Sequence, residues 1–224
     1  MAPNGVLSFR PSHAHILKET GPMTTEPTAA DRPALEISVT LTTGRLCRFA
    51  VDDSGAAQRL LKEMQPARLF STSPTLLLSS GGALTVFPVA RVERVDIVGA
   101  ALPAWPFLGG ATAVREVSET EFLAAYDPLR FAEDRREAGA ARIGFTEYWT
   151  VSGQHVFWEV RMELLEMTAI DFKPYIQSLF AAGGLHASTA EGGIAVLNPA
   201  NLLSMTFHPG PPLPPAGAWV VRRL

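Results

Sequence analysis

The chain has 224 residues, with 19 lysines and arginines against 22 aspartates and glutamates, a net charge of −3 at neutral pH. Lysine occurs only at Lys18, Lys62 and Lys173, so no lysine-rich patch can form to follow a phosphate backbone, and nucleic-acid binding is not expected. A hydrophobic fraction of 47% supplies a full core, while the single cysteine, Cys47, rules out an internal disulfide and a cysteine-based zinc site.

Residues 1–33 read as a flexible leader, polar and proline-punctuated from Gly21 to Pro33, with Met1 and Met23 both open as the true start. Arg10, His13, His15 and Lys18 are followed by no apolar stretch of signal-peptide type. No apolar run approaches the roughly 18 residues of a spanning helix. Together these predict a cytoplasmic protein.

Order is predicted from residue 34. Ile37, Val39 and Leu41 alternate with polar neighbours, Thr43-Gly44 turns the chain, and Cys47, Phe49 and Val51 continue the alternation on a second strand. Ser54 is placed to cap a short helix with Ala57, Leu60, Leu61 and Met64 on one face, ended by Pro66. A strand at Thr75–Leu78, a turn at Gly81-Gly82 and a strand with Leu84 and Val86 follow. Pro88 breaks that strand, and Val92, Val95 and Ile97 form the last one. This first β-rich module spans 34–99.

The connector, 100–141, starts with an uncharged stretch carrying Trp105, Phe107 and Leu108 between prolines. A charged helix follows, opened by a Ser118/Glu121 capping box and interrupted by Pro128. A second module, 142–208, repeats the plan: Gly153 stands where Gly44 stood, and Val156, Trp158, Val160, Met162 and Leu164 alternate without a miss. Thr168 and Asp171 suit a capping box before a helix bearing Ile176, Leu179 and Phe180. Val196-Leu197 matches Val86-Phe87, and Leu202, Met205 and Phe207 match Val92, Val95 and Ile97. A proline-rich tail, 209–224, carries Trp219, Arg222 and Arg223.

The expected fold is therefore α+β and mainly β: two tandem, diverged ββαβββ modules joined by a charged helical linker and packed through a pseudo-twofold contact. The run strand, proline, short turn, strand over Val86–Ile97 resembles SH3-like and Sm-like barrels in layout, which implies small twisted sheets or partial barrels.

The search for chemistry yields no catalytic set. There is no G-x-S-x-G, P-loop, G-x-G-x-x-G, H-E-x-x-H or EF-hand loop. His13 and His15 make an H-x-H pair without a nearby third ligand, so no metal site is assigned. Asp52, Asp53 and Ser54 read as helix caps, Cys47 as a core residue, His155 as a surface residue, and Glu159, Arg161 and Glu163 as a solvated, salt-bridged strand face. The double glycines at Gly81, Gly109, Gly183 and Gly192 read as positions that need positive φ.

The predicted role is a non-catalytic structural or adaptor subunit, with no cofactor, that docks other protein subunits, a membrane-embedded complex among them. The predicted contact residues are Trp105, Phe107, Leu108, Trp219, Arg222 and Arg223, because aromatic and arginine side chains dominate interface centres. The alternative is a sensor that holds a small ligand in the cleft between modules, near His186, Trp158 and Tyr175.

Overall fold

A computed structural model describes residues 32–127, 142–162, 172–211, 215 and 217–221. The chain is mixed α/β and strand-rich. Its strands are β1 (Leu35–Leu41), β2 (Leu46–Val51), β3 (Thr75–Ser80), β4 (Ala83–Pro88), β5 (Val92–Gly99), β6 (Ala111–Val117), β7 (Arg142–Thr150), β8 (His155–Met162), β9 (Leu185–Ser188), β10 (Ile194–Leu197) and β11 (Leu202–His208). Its helices are α1 (Ser54–Glu63), α2 (Pro66–Leu69), α3 (Glu119–Ala125) and α4 (Phe172–Ala181).

Nine strands form one sheet in the order β11-β7-β8-β6-β9-β10-β5-β1-β2, and β3 pairs with β4 as a separate hairpin. In the N-terminal half β5-β1-β2 is an antiparallel triple; in the C-terminal half β11-β7-β8 is another. Short 3₁₀ turns link β4 to β5 (Val89–Arg91) and β10 to β11 (Pro199–Asn201).

The connector departs from expectation. It contributes β6, which pairs antiparallel with β8 and parallel with β9, and so becomes part of the sheet. Residues Pro33–Leu224 consequently make one compact unit. The expected pseudo-twofold packing is replaced by a one-sided joint, in which β10 of the C-terminal half pairs with β5 of the N-terminal half. Among the described residues neither β4 nor β11 makes the reciprocal pairing.

Three apolar clusters lie on alternate faces. Ile37, Val39, Val95, Ile97 and Val196 face α1, α2 and the β3–β4 hairpin, which supply Leu61, Leu69, Leu78 and Phe87. The opposite face of β10 sends Leu197 to join Val114, Tyr148, Val156, Trp158, Leu179 and Leu185. β10 is thus a strand buried on both sides, as its unbroken apolar sequence Ile-Ala-Val-Leu requires. α3 covers the other face of β8, where Phe122 stacks on Phe157 at 4.8 Å.

Local signals explain the ends. Asp53, not Ser54, caps α1, its carboxylate accepting from the Ala56 N–H at 2.6 Å. Pro66 begins α2 after α1 has closed at Glu63. The Ser118/Glu121 capping box forms on α3. Thr168 and Asp171 lie outside the described residues. Gly183 and Gly184 serve close approach in place of positive φ: a Cβ on either would collide with the backbone of Ala67 or Pro66 in α2.

The 3₁₀ turns meet in a buried polar joint. Asn198 donates its side-chain amide to the Val89 and Val92 carbonyls at 3.1 and 2.8 Å, and Asn201 donates to Val92 at 2.7 Å. Glu93, fully buried, accepts from the Ser152 N–H and hydroxyl at 2.8 and 2.6 Å. The Val89 and Val92 carbonyls and the Glu93 carboxylate are thus all filled from the other half, which favours one arrangement of the two.

Candidate functional site

Where the halves meet, a cleft of about 580 Å³ opens between the β1–β2 turn and the start of β8. Thr40, Leu46, Arg94 and Asp96 line one side; Glu116, Gln154, His155 and Val156 line the other. Arg94 lies across it, bonded to Asp96 at 2.6–3.0 Å and to both oxygens of Glu116 at 2.8 Å. Ala195, paired with Asp96, and Ala187, its neighbour on β9, are fully buried small residues between those strands. Burial disfavours the Arg94 charge, but the bonds to Asp96 and Glu116 outweigh it and hold the guanidinium protonated. One cation against two carboxylates leaves the cleft wall with an excess negative charge.

His155 reaches the cleft from β8 with its ring stacked on Trp149 at 4.0 Å. Its Nε2 lies 2.8 Å from Glu147 Oε1, His208 Nε2 lies 2.9 Å from Oε2, and the Trp149 indole donates at 3.2 Å. Burial raises the Glu147 pKa, yet the bonds from His208, His155 and Trp149 bring it below the usual carboxylate range. The ionised carboxylate only accepts, so both imidazoles present N–H at Nε2. His155 is thereby an oriented imidazole, where the sequence predicted a free surface residue. Glu159 is also corrected. It is buried, bonded to Arg115 at 2.6 Å and Arg161 at 2.9 Å, and these bonds overcome its burial to lower its pKa. Glu163 lies outside the described residues.

Trp158, Tyr175 and His186 do come together, but around a different space: a small pocket of about 40 Å³ lined by the second cluster. Burial raises the Tyr148 and Tyr175 hydroxyls and lowers His186, so all three are neutral near pH 7. The Trp158 indole N–H is buried with no hydrogen-bond partner among the described residues. The volume suits one or two waters, far below a typical ligand site of roughly 300 Å³ or more.

The aromatic segment of the connector lies against its own chain. Trp105 packs on the first cluster, Phe107 and Leu108 on the second, and the Phe107 ring stacks on His186 at 4.7 Å. All three remain half-exposed. Gly109, at φ +67°, lets the chain pass the Tyr175 ring, which any Cβ there would strike. Trp219 is 90% exposed, and Arg222, Arg223, His13 and His15 lie outside the described residues.

A feature the sequence reading did not single out is a set of uncharged strand edges. β3, β4 and β11 contain no Lys, Arg, Asp or Glu, in contrast to β2, which carries Arg48. Leu77, Leu84 and Val86 project from the hairpin into solvent, and Leu203 does so from β11. Edges that avoid association usually carry charge. No helix among the described residues is long and apolar enough to cross a membrane. Compared with known proteins, the chain matches no family model, no curated protein and no solved structure.

Proposed function

We propose that the protein is a structural or adaptor subunit of a larger assembly, built from two tandem ββαβββ modules and acting by docking, without catalysis. The observation that carries this is the uncharged, apolar strand edge presented by Leu84 and Val86 on β4 and by Leu203 on β11. Exposed edges of this kind recruit another chain by strand addition, main-chain bonds giving affinity and alternate side chains giving specificity. The half-exposed Trp105, Phe107 and Leu108, and the exposed Trp219 with Arg222 and Arg223 beyond it, add aromatic and cationic contacts suited to protein subunits, a membrane-embedded one included.

The test is purification of the intact protein from its native source in mild detergent, with the mass of the complex measured directly. A discrete heavier species of fixed composition supports the reading; a lone 24.1 kDa chain overturns it.

A second reading is favoured by the cleft of about 580 Å³, which falls in the size range of small-molecule sites and is lined from both halves. In this reading the protein senses a small polar ligand, with Arg94, Asp96, Glu116 and His155 supplying contacts. A metabolite that raises the melting temperature of the wild type, and not of Glu116→Gln, supports it.

A further inference from the structure

We propose that the chain assembles with copies of itself head to tail, β4 of one copy adding antiparallel to the open edge of β11 in the next. This deepens the assembly reading, on which it rests, by naming the partner.

The template is inside the molecule. β10 joins β5 in the register Ile194↔Ile97, Ala195↔Asp96, Val196↔Val95 and Leu197↔Arg94. β4 and β10 each follow a hairpin partner and each run through a 3₁₀ turn into the last strand of their half. Carried over by the match of Val86-Phe87 with Val196-Leu197 and of Met205 and Phe207 with Val95 and Ile97, the same joint between copies pairs Leu84 with Phe207 and Val86 with Met205.

Burial follows this correspondence on both faces. Leu197 turns into the core of its own half, and Phe87, at the place of Leu197, does the same. Ile194 and Val196 turn instead into the core of the other half, where Val196 is fully buried. Their counterparts Leu84 and Val86 are 62% and 49% exposed, with no neighbouring half to enter. On the receiving strand, Val95 and Ile97 lie in their own core, as Met205 and Phe207 do. Glu93, buried by the internal joint, corresponds to Leu203, which is 66% exposed. The residues that the internal joint covers are thus the ones left open at the two free edges. A one-sided joint used once leaves one donor edge and one acceptor edge unused, and copies that use them add in one direction, into a ring or a filament.

The experiment uses the full chain and two surface variants. Leu84→Glu with Val86→Lys blocks the β4 edge; Leu203→Lys with Ser204→Lys blocks the β11 edge. All four positions are exposed, and circular dichroism checks that each variant folds. By light scattering after gel filtration, the wild type is expected to rise above 24.1 kDa with concentration, and each variant alone to stay at that mass. An equimolar mixture is expected to give a species of twice that mass and nothing larger, because only one edge of each kind remains. A wild type that stays monomeric through the micromolar range overturns the proposal, as does a mixture in which no dimer forms. If the wild type alone is monomeric while the native source yields a fixed complex with another protein, only the copy-to-copy joint fails and the adaptor reading stands.

Discussion

Removing the Arg94 guanidinium, as in Arg94→Met, strands Asp96 and Glu116 opposite each other at the seam. The side chain of Arg94 is 14% exposed and those of the two carboxylates 25%, so these are largely desolvated pairs. Deleting one partner of a buried pair costs about 3–5 kcal/mol, because the other charge is left without compensation. The quarter of each carboxylate that still meets water lowers this, to about 2–4 kcal/mol. With a urea dependence near 2–3 kcal/mol per molar, the unfolding midpoint should fall by about 1 M at constant slope.

A second variant separates charge from shape. Arg94→Met combined with Asp96→Asn and Glu116→Gln keeps the side-chain volumes and removes the stranded charges, so most of the lost stability should return. If Arg94→Met alone costs under about 1 kcal/mol, the cluster behaves as a solvated surface pair and the reasoning is refuted.

Gly109→Ala should destabilise by about 1–2 kcal/mol or more, since φ is positive and the new methyl meets the Tyr175 ring; an unchanged melting temperature would contradict this. Burial lowers the His186 pKa despite its bond to the Trp105 carbonyl, so its share of stability is complete above the unfolded value of about 6.5 and is lost as pH falls through the lower folded value. His186→Leu should flatten that part of a stability–pH curve. For Glu147 the folded pKa is also lowered, the bonds from His208, His155 and Trp149 outweighing burial. Its contribution is present above the unfolded value of about 4.3 and lost on further acidification, and Glu147→Gln should remove that loss in acid unfolding followed by tryptophan fluorescence.

The period-two runs made β1, β2 and β8 legible, because each sets one strong apolar row against its neighbours. β6 was hidden in a connector since Arg115 and Glu116 look solvated in sequence. Their partners, Glu159 and Arg94, come from 44 and 22 residues away, and only the assembled sheet pairs those charges. The same non-locality concealed the cleft, whose walls come from both halves. His186, Trp158 and Tyr175, expected in a cleft between modules, instead share a water-sized space within the second cluster, because depth is not a one-dimensional property. The aromatic signal of Trp105 and Phe107 measured apolar payload, which one's own core and a partner's surface use equally.

The internal and the proposed external joints differ in one respect that bears on their strength. At the internal one, the Asn198 N–H donates to the Glu93 carbonyl at 2.9 Å, and the Asn198 side chain fills two more acceptors. Pro88 occupies the corresponding place at the end of β4 and has no N–H to give, while Leu203 replaces the Glu93 carboxylate that Ser152 satisfies. A joint formed through Leu84, Val86, Met205, Phe207 and Leu203 therefore rests on apolar burial and main-chain pairing alone. The buried polar set favours one register in the first joint; without it, the proposed second joint should be the weaker of the two and open more readily.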